Sequence, residues 1–179
     1  MKKSEKELKA IARNIKLLIL DVDGVMTDGS IILDNEGNEF KSFYVRDGHG
    51  IKMLQRAGIN VAIITGRQSK VVERRAKELD IKEVYQGRRE KIGTYDIIKK
   101  KFNLTDKEVA YVGDDIVDIP ILKKVGLSVA VNDATDETKT HAMMITENRG
   151  GRGAVREVCD FLLRAVGAWE AAAGEDFEA

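Results

Sequence analysis

Short apolar runs alternate regularly along this chain with segments in which apolar residues recur at helical spacing. The runs at 16–21, 61–64 and 109–112 are nearly continuous in apolar residues, as in strands that are buried on both faces. The segments between them repeat apolar residues at helical spacing, and Gly58 and Gly126 follow two of these segments. Strands that alternate with helices predict an α/β fold, a doubly wound parallel sheet of the Rossmann-like type with right-handed connections.

Turn and cap signals divide the rest of the chain into further elements. Ser4 and Glu7 have capping-box spacing, which predicts a helix that runs to about Arg13. Residues 30–33 and 39–44 flank a polar loop with a glycine, which predicts a β-hairpin. The remaining helices are predicted at 49–57, 69–79, 91–101, 120–125 and 154–165, and the remaining strands at 83–85, 127–131 and 143–145.

The length of the chain fits a single structural unit. Its 179 residues suit one domain, and neither an internal repeat nor a convincing linker interrupts them. We expect one domain over residues 1–166 and a flexible C-terminal tail over residues 167–179. The three glycines of residues 150–153 predict a flexible patch directly before the last apolar helix.

Charge and composition argue against several functional classes. The 30 basic and 30 acidic side chains cancel, so net charge favours neither nucleic acid nor a membrane surface as a partner. The aliphatic runs are too short to span a bilayer, and residues 1–10 lack the apolar core of a signal peptide. The single cysteine, Cys159, excludes an internal disulfide and lies on the apolar stripe of the last helix. We therefore expect a cytoplasmic protein that acts on a small molecule.

Four polar motifs lie where predicted strands end or predicted helices begin. They are Asp21-Val22-Asp23-Gly24, Thr65-Gly66-Arg67, Lys91, and Gly113-Asp114-Asp115 with Asp118 behind it. Each is weak alone, because Asp-x-Asp-Gly is often only a turn and a single lysine is usually a solvated charge. In open α/β sheets, however, ligands bind beyond the carboxyl ends of the strands, so the fold gathers all four motifs at one edge.

The residue types in these motifs fit the hydrolysis of a phosphate monoester. That reaction needs a nucleophile, positive charge near the phosphoryl oxygens and a proton for the leaving alkoxide. Asp21 offers a carboxylate nucleophile, and Asp21 and Asp114 offer the oxygen ligands that Mg²⁺ prefers. Asp23 can direct its side chain towards the leaving group and its backbone carbonyl towards the metal. The acids Asp114, Asp115 and Asp118 repel one another unless a cation is present.

These motifs resemble the four motifs of the haloacid dehalogenase superfamily, the first of them extended as Val25-Met26-Thr27-Asp28-Gly29. Three further segments are similar to signatures of the bacterial 3-deoxy-D-manno-octulosonate 8-phosphate phosphatases. They are Val45-Arg46-Asp47-Gly48, Tyr111-Val112-Gly113-Asp114-Asp115 and Gly150-Gly151-Arg152-Gly153-Ala154-Val155-Arg156-Glu157. The resemblance covers about Lys16 to Leu163, and the sequence departs from the family pattern at Tyr44 and Lys52.

This resemblance implies a Mg²⁺-dependent phosphatase that acts on a sugar acid phosphate in the synthesis of the inner sugar of lipopolysaccharide. It implies that Asp21 is the nucleophile, that Asp23 is the general acid and then base, and that Thr65 and Lys91 hold the transferring phosphoryl group. The implied metal ligands are Asp21, the carbonyl of Asp23 and Asp114, with Asp115 and Asp118 behind them. The residues implied to contact the substrate are Val45, Arg46, Asp47, Gly48, Lys52, Gly66, Arg67, Arg75 and Lys91.

The spacing of the motifs leaves no room for a large cap domain over the site. Residues 28–65 hold only the hairpin and one helix, and residues 65–91 hold only a helix and a strand. A small hairpin flap, the tail or a neighbouring subunit must therefore exclude water from the site. Members of the family that the chain resembles also lack a cap and form tetramers, which implies a homotetramer.

Three other interpretations stay open at the level of sequence. A related nine-carbon keto-deoxy sugar acid phosphate is an alternative substrate. A signalling receiver domain also sets an aspartate beside Mg²⁺, a threonine and a lysine, but its acceptor aspartate follows a middle strand rather than the first. A non-catalytic oligomerisation module is the third alternative, and the four intact motifs argue against it.

Overall fold

The computed structural model describes residues 3–177, which form a sheet flanked by helices on both faces. Its strands are β1 (Leu17–Leu20), β2 (Ile32–Leu33), β3 (Glu39–Phe40), β4 (Asn60–Ile64), β5 (Glu83–Tyr85), β6 (Val109–Gly113), β7 (Leu127–Ala130) and β8 (Met144–Ile145). Its helices are α1 (Glu5–Ala12), α2 (Val45–Arg56), α3 (Lys70–Glu78), α4 (Ile92–Lys101), α5 (Ile119–Leu122), α6 (Asp136–His141), α7 (Ala154–Ala165) and α8 (Trp169–Phe177). Within the described range, every helix is too short or too polar to cross a membrane.

Six strands form one parallel sheet in the order β5-β4-β1-β6-β7-β8. The first strand lies at the centre, and successive strands leave it in both directions. Leu20 at the end of β1 is level with Ile63 of β4 and Val112 of β6. Consequently the residues that follow these three strands meet at one edge, at the switch point where open α/β sheets bind ligands. This arrangement confirms the predicted doubly wound parallel sheet.

The central strands contribute alternate side chains to two separate cores. Leu18 and Leu20 pack in the core that α2, α3 and α7 cover, whereas Leu17 and Ile19 pack in the core under α4 and α5. All four side chains are fully buried. Burial on both faces explains why this strand reads as a continuous aliphatic run rather than an alternating one.

Between β1 and β4 the chain forms only a hairpin and α2, so no cap domain is present there. The hairpin pairs β2 with β3 in antiparallel fashion, and the carboxylate of Asp34 accepts the backbone N–H of Glu36 and Asn38 in its turn. Its apolar side chains face outwards, since Ile31, Leu33 and Phe40 are 62%, 58% and 53% exposed. The flap expected from the sequence is therefore present and carries an apolar outer surface.

Helix α2 begins at Val45, four residues before the predicted start. The Asp47 carboxylate in its first turn accepts the backbone N–H of Arg156, at 2.8 Å, at the start of α7. Gly48 leaves room for Arg75, because a Cβ there would lie 2.3 Å from a guanidinium nitrogen of that side chain. Packing against α3 and α7 therefore makes this glycine-containing turn helical, although glycine disfavours a helix locally.

Three further segments differ from the sequence-based prediction. Helix α6 is an addition, and its start is capped by Thr135, whose hydroxyl accepts the N–H of Thr138. Helix α5 is shorter than predicted, since it ends at Leu122 rather than at residue 125, and a 3₁₀ turn over Ile116–Asp118 precedes it. Part of the predicted loose tail forms α8, in which Ala172 and Ala173 are buried against the main core. Residues 178–179 of that predicted tail lie outside the described residues.

The glycines of residues 150–153, predicted to be flexible, pack closely beneath the loop that follows β1. A Cβ at Gly150 would lie 1.7 Å from the carbonyl oxygen of Gly24, and one at Gly151 would lie 2.4 Å from the backbone of Thr27. The N–H of Gly151 also donates to the carbonyl of Val25 at 2.9 Å. Only residues without a side chain allow this approach, so these glycines support the loop that carries the first motif.

Candidate active site

A buried ion pair joins the ends of two distant segments at the centre of the site. Asp21 follows β1 and is only 6% exposed, and its Oδ2 lies 2.6 Å from Nζ of Lys91 at the start of α4. The other carboxylate oxygen of Asp21 accepts the N–H of Val22 at 2.7 Å. The carboxylate is thus held by one cation and one backbone amide, with its orientation fixed on both sides.

Asp118 completes this arrangement from beneath. Its Oδ1 accepts from Lys91 Nζ at 2.7 Å and from the hydroxyl of Tyr111 at 2.6 Å. Its Oδ2 accepts the backbone N–H groups of Asp114 and Asp115 at 3.0 and 3.3 Å. Asp118 is completely buried, and these four bonds compensate its charge. It therefore fixes both the lysine and the loop after β6.

Asp114 lies beside these groups as a third acidic side chain. Ligand oxygens of Asp21, Asp114 and Asp118 all lie within 4.8 Å of one another. Burial and the charges of Asp21 and Asp118 raise the pKa of Asp114 to about 8. Burial likewise raises the pKa of Asp21 to about 6, although Lys91 opposes the shift. The cluster carries more negative charge than one lysine balances, which is the electrostatic condition of a cation site.

The donor set fits a hard divalent cation. Its side-chain ligands are carboxylate oxygens, which Mg²⁺ prefers. The backbone at Gly24 passes directly over Asp114, where a Cβ would lie 2.1 Å from Oδ2 of that carboxylate. The left-handed φ of +85° at Gly24 also favours glycine. The first motif thus brings its main chain to the acidic cluster, as expected if a backbone carbonyl of that motif joins the ligands.

The side chain of Asp23 is directed elsewhere, towards the hairpin. One of its carboxylate oxygens contacts Nζ of Lys41, which follows β3 and whose side chain is only 2% exposed. The other oxygen lies 3.8 Å from Nε of Arg67. Glu39 lies between the two cations, 3.4 Å from Lys41 Nζ and 2.8 Å from the Arg67 guanidinium. The two aspartates of the first motif therefore have different surroundings, which suits different chemical roles.

These groups surround one open pocket of about 480 Å³ at the carboxyl edge of the sheet. Its lining comprises Asp21, Asp23, Gly29, Thr65, Gly66, Arg67, Arg89, Lys91, Asp114, Asp115 and Val117. Thr65 is buried at its base, directly after β4. The fold thus brings all four polar motifs of the sequence into one cavity, as their positions at strand ends predict.

Comparison with known proteins agrees with this site. Residues 81–158 match the family of haloacid dehalogenase-like hydrolases. The 3-deoxy-D-manno-octulosonate 8-phosphate phosphatase KdsC of Escherichia coli K12 is 51% identical over 166 residues, covering 93% of this chain and 88% of that protein. The chain belongs to the 3-deoxy-D-manno-octulosonate 8-phosphate phosphatase family.

Solved structures of family members share the fold over nearly the whole chain. The phosphatase of Yersinia pestis superposes with a TM-score of 0.91 at 48% identity, covering 92% of this chain and 89% of that one. The phosphatase of Moraxella catarrhalis, solved with magnesium ion, phosphate ion and KDO, gives a TM-score of 0.93 at 40% identity. That match covers 96% of this chain and 98% of the other.

The other residues that the sequence predicts to contact the substrate are not among the described residues that line the catalytic pocket. Arg75 packs at the start of α2, with its guanidinium 5.7 Å from the centre of the Phe43 ring. Val45, which opens that helix, is 79% exposed. Lys52 pairs with Asp80, which follows α3. Arg46, Asp47 and Gly48 complete the same helix start, so the roles predicted for these residues stay predictions.

Several residues of the site were missed by sequence reasoning. Lys41 and Glu39 belong to the hairpin, and neither follows a strand of the main sheet. Arg89 lies in the loop before Lys91 and lines the pocket. Tyr111 belongs to a segment that resembles a family signature, but the sequence does not indicate that its hydroxyl, inside β6, donates to Asp118. A charged residue next to the second strand of a predicted flap is the signal that would have identified Lys41.

Proposed function

We propose that this chain hydrolyses 3-deoxy-D-manno-octulosonate 8-phosphate to the free sugar acid and inorganic phosphate, with Mg²⁺ as cofactor. The observation that carries this proposal is the arrangement of three aspartates. Asp21 is buried beside Asp114 and oriented by Lys91. Asp23 instead contacts Lys41 of the hairpin. The relative in Moraxella catarrhalis was solved with the metal, phosphate and sugar that this reaction involves.

In the first half of the reaction, the Asp21 carboxylate attacks phosphorus and the bond to the sugar oxygen breaks. The leaving alkoxide takes a proton from Asp23, which lies on the other side of the first motif from the acidic cluster. Lys91 at the base of the pocket and the hydroxyl of Thr65 hold the phosphoryl oxygens. The second half reverses the proton transfer, because Asp23 then accepts a proton from the water that cleaves the aspartyl phosphate.

Asp21, the backbone carbonyl of Asp23 and Asp114 would hold the Mg²⁺ ion. When bound, the ion neutralises charge on the phosphoryl group and on the two carboxylates. Asp118 does not need to bind it directly, because both of its oxygens are already engaged by Lys91, Tyr111 and the amides after β6.

We also propose that the enzyme is a homotetramer. The exposed apolar side chains of the hairpin and of Val45 would be covered if four chains associate, so a homotetramer accounts for them. An isolated two-stranded hairpin is marginal in water, which is a second reason for a neighbour. A neighbouring subunit would also close the open pocket, for which residues 3–177 form no cap domain. We propose a cytoplasmic location, because a single cysteine fits a reducing compartment.

A substrate panel tests this function. Release of inorganic phosphate with Mg²⁺ is measured for the eight-carbon acid, for a nine-carbon keto-deoxy sugar acid phosphate and for a neutral hexose phosphate. The proposal expects the highest kcat/KM for the eight-carbon acid. A higher value for the nine-carbon acid would reassign the substrate, and no turnover of any ester would refute the phosphatase function.

A further inference from the structure

Lys41 is a buried cation that no motif of the sequence accounts for. Its side chain is 2% exposed, although lysine is almost never fully buried unless it is paired. Its ammonium contacts the Asp23 carboxylate directly and lies 3.4 Å from Glu39. It follows β3 of the hairpin, so this contact connects the flap to the loop after the first strand of the sheet.

The contact is part of a short network that fixes both partners. Glu39 accepts from Arg67 and from the hydroxyl of Ser69, which lies at the start of α3. Two cations, Lys41 and Arg67, and one hydroxyl, that of Ser69, therefore meet around the carboxylates of Asp23 and Glu39. Because Glu39 is itself held in place, Lys41 has one preferred position, and the Asp23 carboxylate facing it has one preferred rotamer.

We propose that Lys41 is a positioning residue that holds the Asp23 carboxyl group on the leaving-group side of the pocket. The inference rests on the proposed function, in which Asp23 gives its proton to the oxygen of the departing group. A proton transfer of this kind requires the donor within hydrogen-bond distance of the oxygen. Without Lys41, the Asp23 side chain can rotate away while the attack by Asp21 stays intact.

The proposal also assigns a function to the hairpin besides covering the pocket. Placing the cation on the flap makes proton donation depend on the flap being seated against the sheet edge. A lysine on the sheet itself would hold Asp23 whether or not the flap was in place.

Leaving-group dependence separates positioning of Asp23 from a general structural role. Phenyl phosphate and 4-nitrophenyl phosphate have nearly the same shape, but nitrophenolate departs without needing a proton. We measure kcat/KM for both esters with Mg²⁺ in wild type, Lys41→Met and Lys41→Arg. Since a general acid contributes ~10²–10⁴-fold, we expect Lys41→Met to lose on the order of 30-fold or more on phenyl phosphate and only a few-fold on the nitrophenyl ester. The conservative variant Lys41→Arg should recover much of the loss.

Two controls complete the experiment. Lys124→Met removes a lysine paired at 2.6 Å with Asp96 on the outer surface and should leave both rates unchanged. Thermal melting shows which variants are folded, and if Lys41→Met is not, the same ester comparison with Lys41→Gln decides. Equal losses on the two esters, or no loss, would overturn the positioning role. A wild-type protein that hydrolyses neither these two esters nor the eight-carbon sugar acid phosphate would refute the phosphatase function itself, and this inference with it.

Discussion

The ammonium of Lys91 lies 2.6 Å from the carboxylate of Asp21, although 70 residues separate the two along the chain. Both side chains are almost completely buried, and the same ammonium lies 2.7 Å from Asp118. One lysine therefore balances two buried carboxylates next to a third, Asp114. This cation therefore stabilises the site, which still retains a net negative charge that attracts a metal ion.

Replacing Lys91 with methionine should destabilise the protein as well as inactivate it. Removing one partner of a buried ion pair typically costs ~3–5 kcal/mol, because the remaining charge stays buried and unpaired. Urea denaturation measures the change in the free energy of unfolding, and Mg²⁺ should restore part of it by supplying positive charge. Lys101→Met, which breaks an exposed pair with Glu83, should cost less than about 1 kcal/mol. Equal costs for the two variants would contradict the dependence on burial.

Replacing Asp21 with asparagine should abolish turnover while the fold is preserved. The amide has the same shape, but it is a poor nucleophile and removes one metal charge. We expect a loss of at least ~10³-fold in kcat, with an unchanged circular dichroism spectrum. A variant that keeps a tenth of the wild-type kcat in Mg²⁺ would show that another group attacks phosphorus.

Much of the fold is predictable from sequence because its strands are buried on both faces. The run Leu17–Leu20 signals a central strand by itself, and the apolar stripe of α7 is equally clear. The first turn of α2 is not predictable in this way, since Val-Arg-Asp-Gly reads as a turn. It is helical because Asp47 binds the start of α7, a contact between residues 109 apart in the chain.

The candidate site likewise contains residues that the sequence predicts and residues that depend on tertiary packing. Asp21, Thr65 and Asp114 follow strands directly, so the sheet register alone brings them together. Lys41 belongs to a hairpin, and its approach to Asp23 depends on how the flap packs against the sheet edge. Local sequence patterns do not specify that packing. The sequence therefore indicates the nucleophile Asp21, but not the contact of Lys41 with Asp23.

The metal-free protein should lose stability as pH rises, and Mg²⁺ should reverse the loss. The pKa of Asp114 is raised from 3.8 to about 8 in the folded state, chiefly by burial. A raised pKa means that this group's contribution to stability is fully present below pH 3.8 and is lost as pH rises through about 8. The rise in Tm with saturating Mg²⁺ should therefore be larger at ~pH 8.5 than at ~pH 6, because fewer protons must be displaced.

Asp114→Asn is the matched variant for this measurement. The neutral amide removes the buried charge, so the metal-free variant should melt above metal-free wild type at ~pH 8.5. Mg²⁺ should raise its Tm little at either pH. A variant that Mg²⁺ stabilises as strongly as wild type would exclude Asp114 as a ligand.

The apolar outer surface of the hairpin should be needed for association. Leu33→Lys places a charge at a position that is 58% exposed in the single chain and would be buried in a tetramer. We expect light scattering to give a smaller particle for this variant and kcat/KM to fall, because the pocket loses its cover. Ile97→Lys is the control, since Ile97 is 60% exposed on α4, away from the hairpin. Wild-type protein that is an active monomer at micromolar concentration would contradict the tetramer.

Arg67 should recognise the carboxylate of the substrate rather than its phosphate. Its side chain is 44% exposed at the mouth of the pocket, and its guanidinium lies 2.8 Å from Glu39, whereas Lys91 lies at the base beside the nucleophile. A guanidinium can donate two parallel hydrogen bonds to a carboxylate. Arg67→Ala should therefore lower kcat/KM for the sugar acid phosphate by about 10- to 100-fold, roughly 1.4–2.8 kcal/mol, and change turnover of a small neutral ester much less.

The control is Arg89→Ala, which removes the other arginine that lines the pocket. It shows whether the loss of any positive charge there has the same effect. Equal losses of Arg67→Ala on both substrates would mean that Arg67 acts on the phosphate or on Asp23, and the carboxylate assignment would fail.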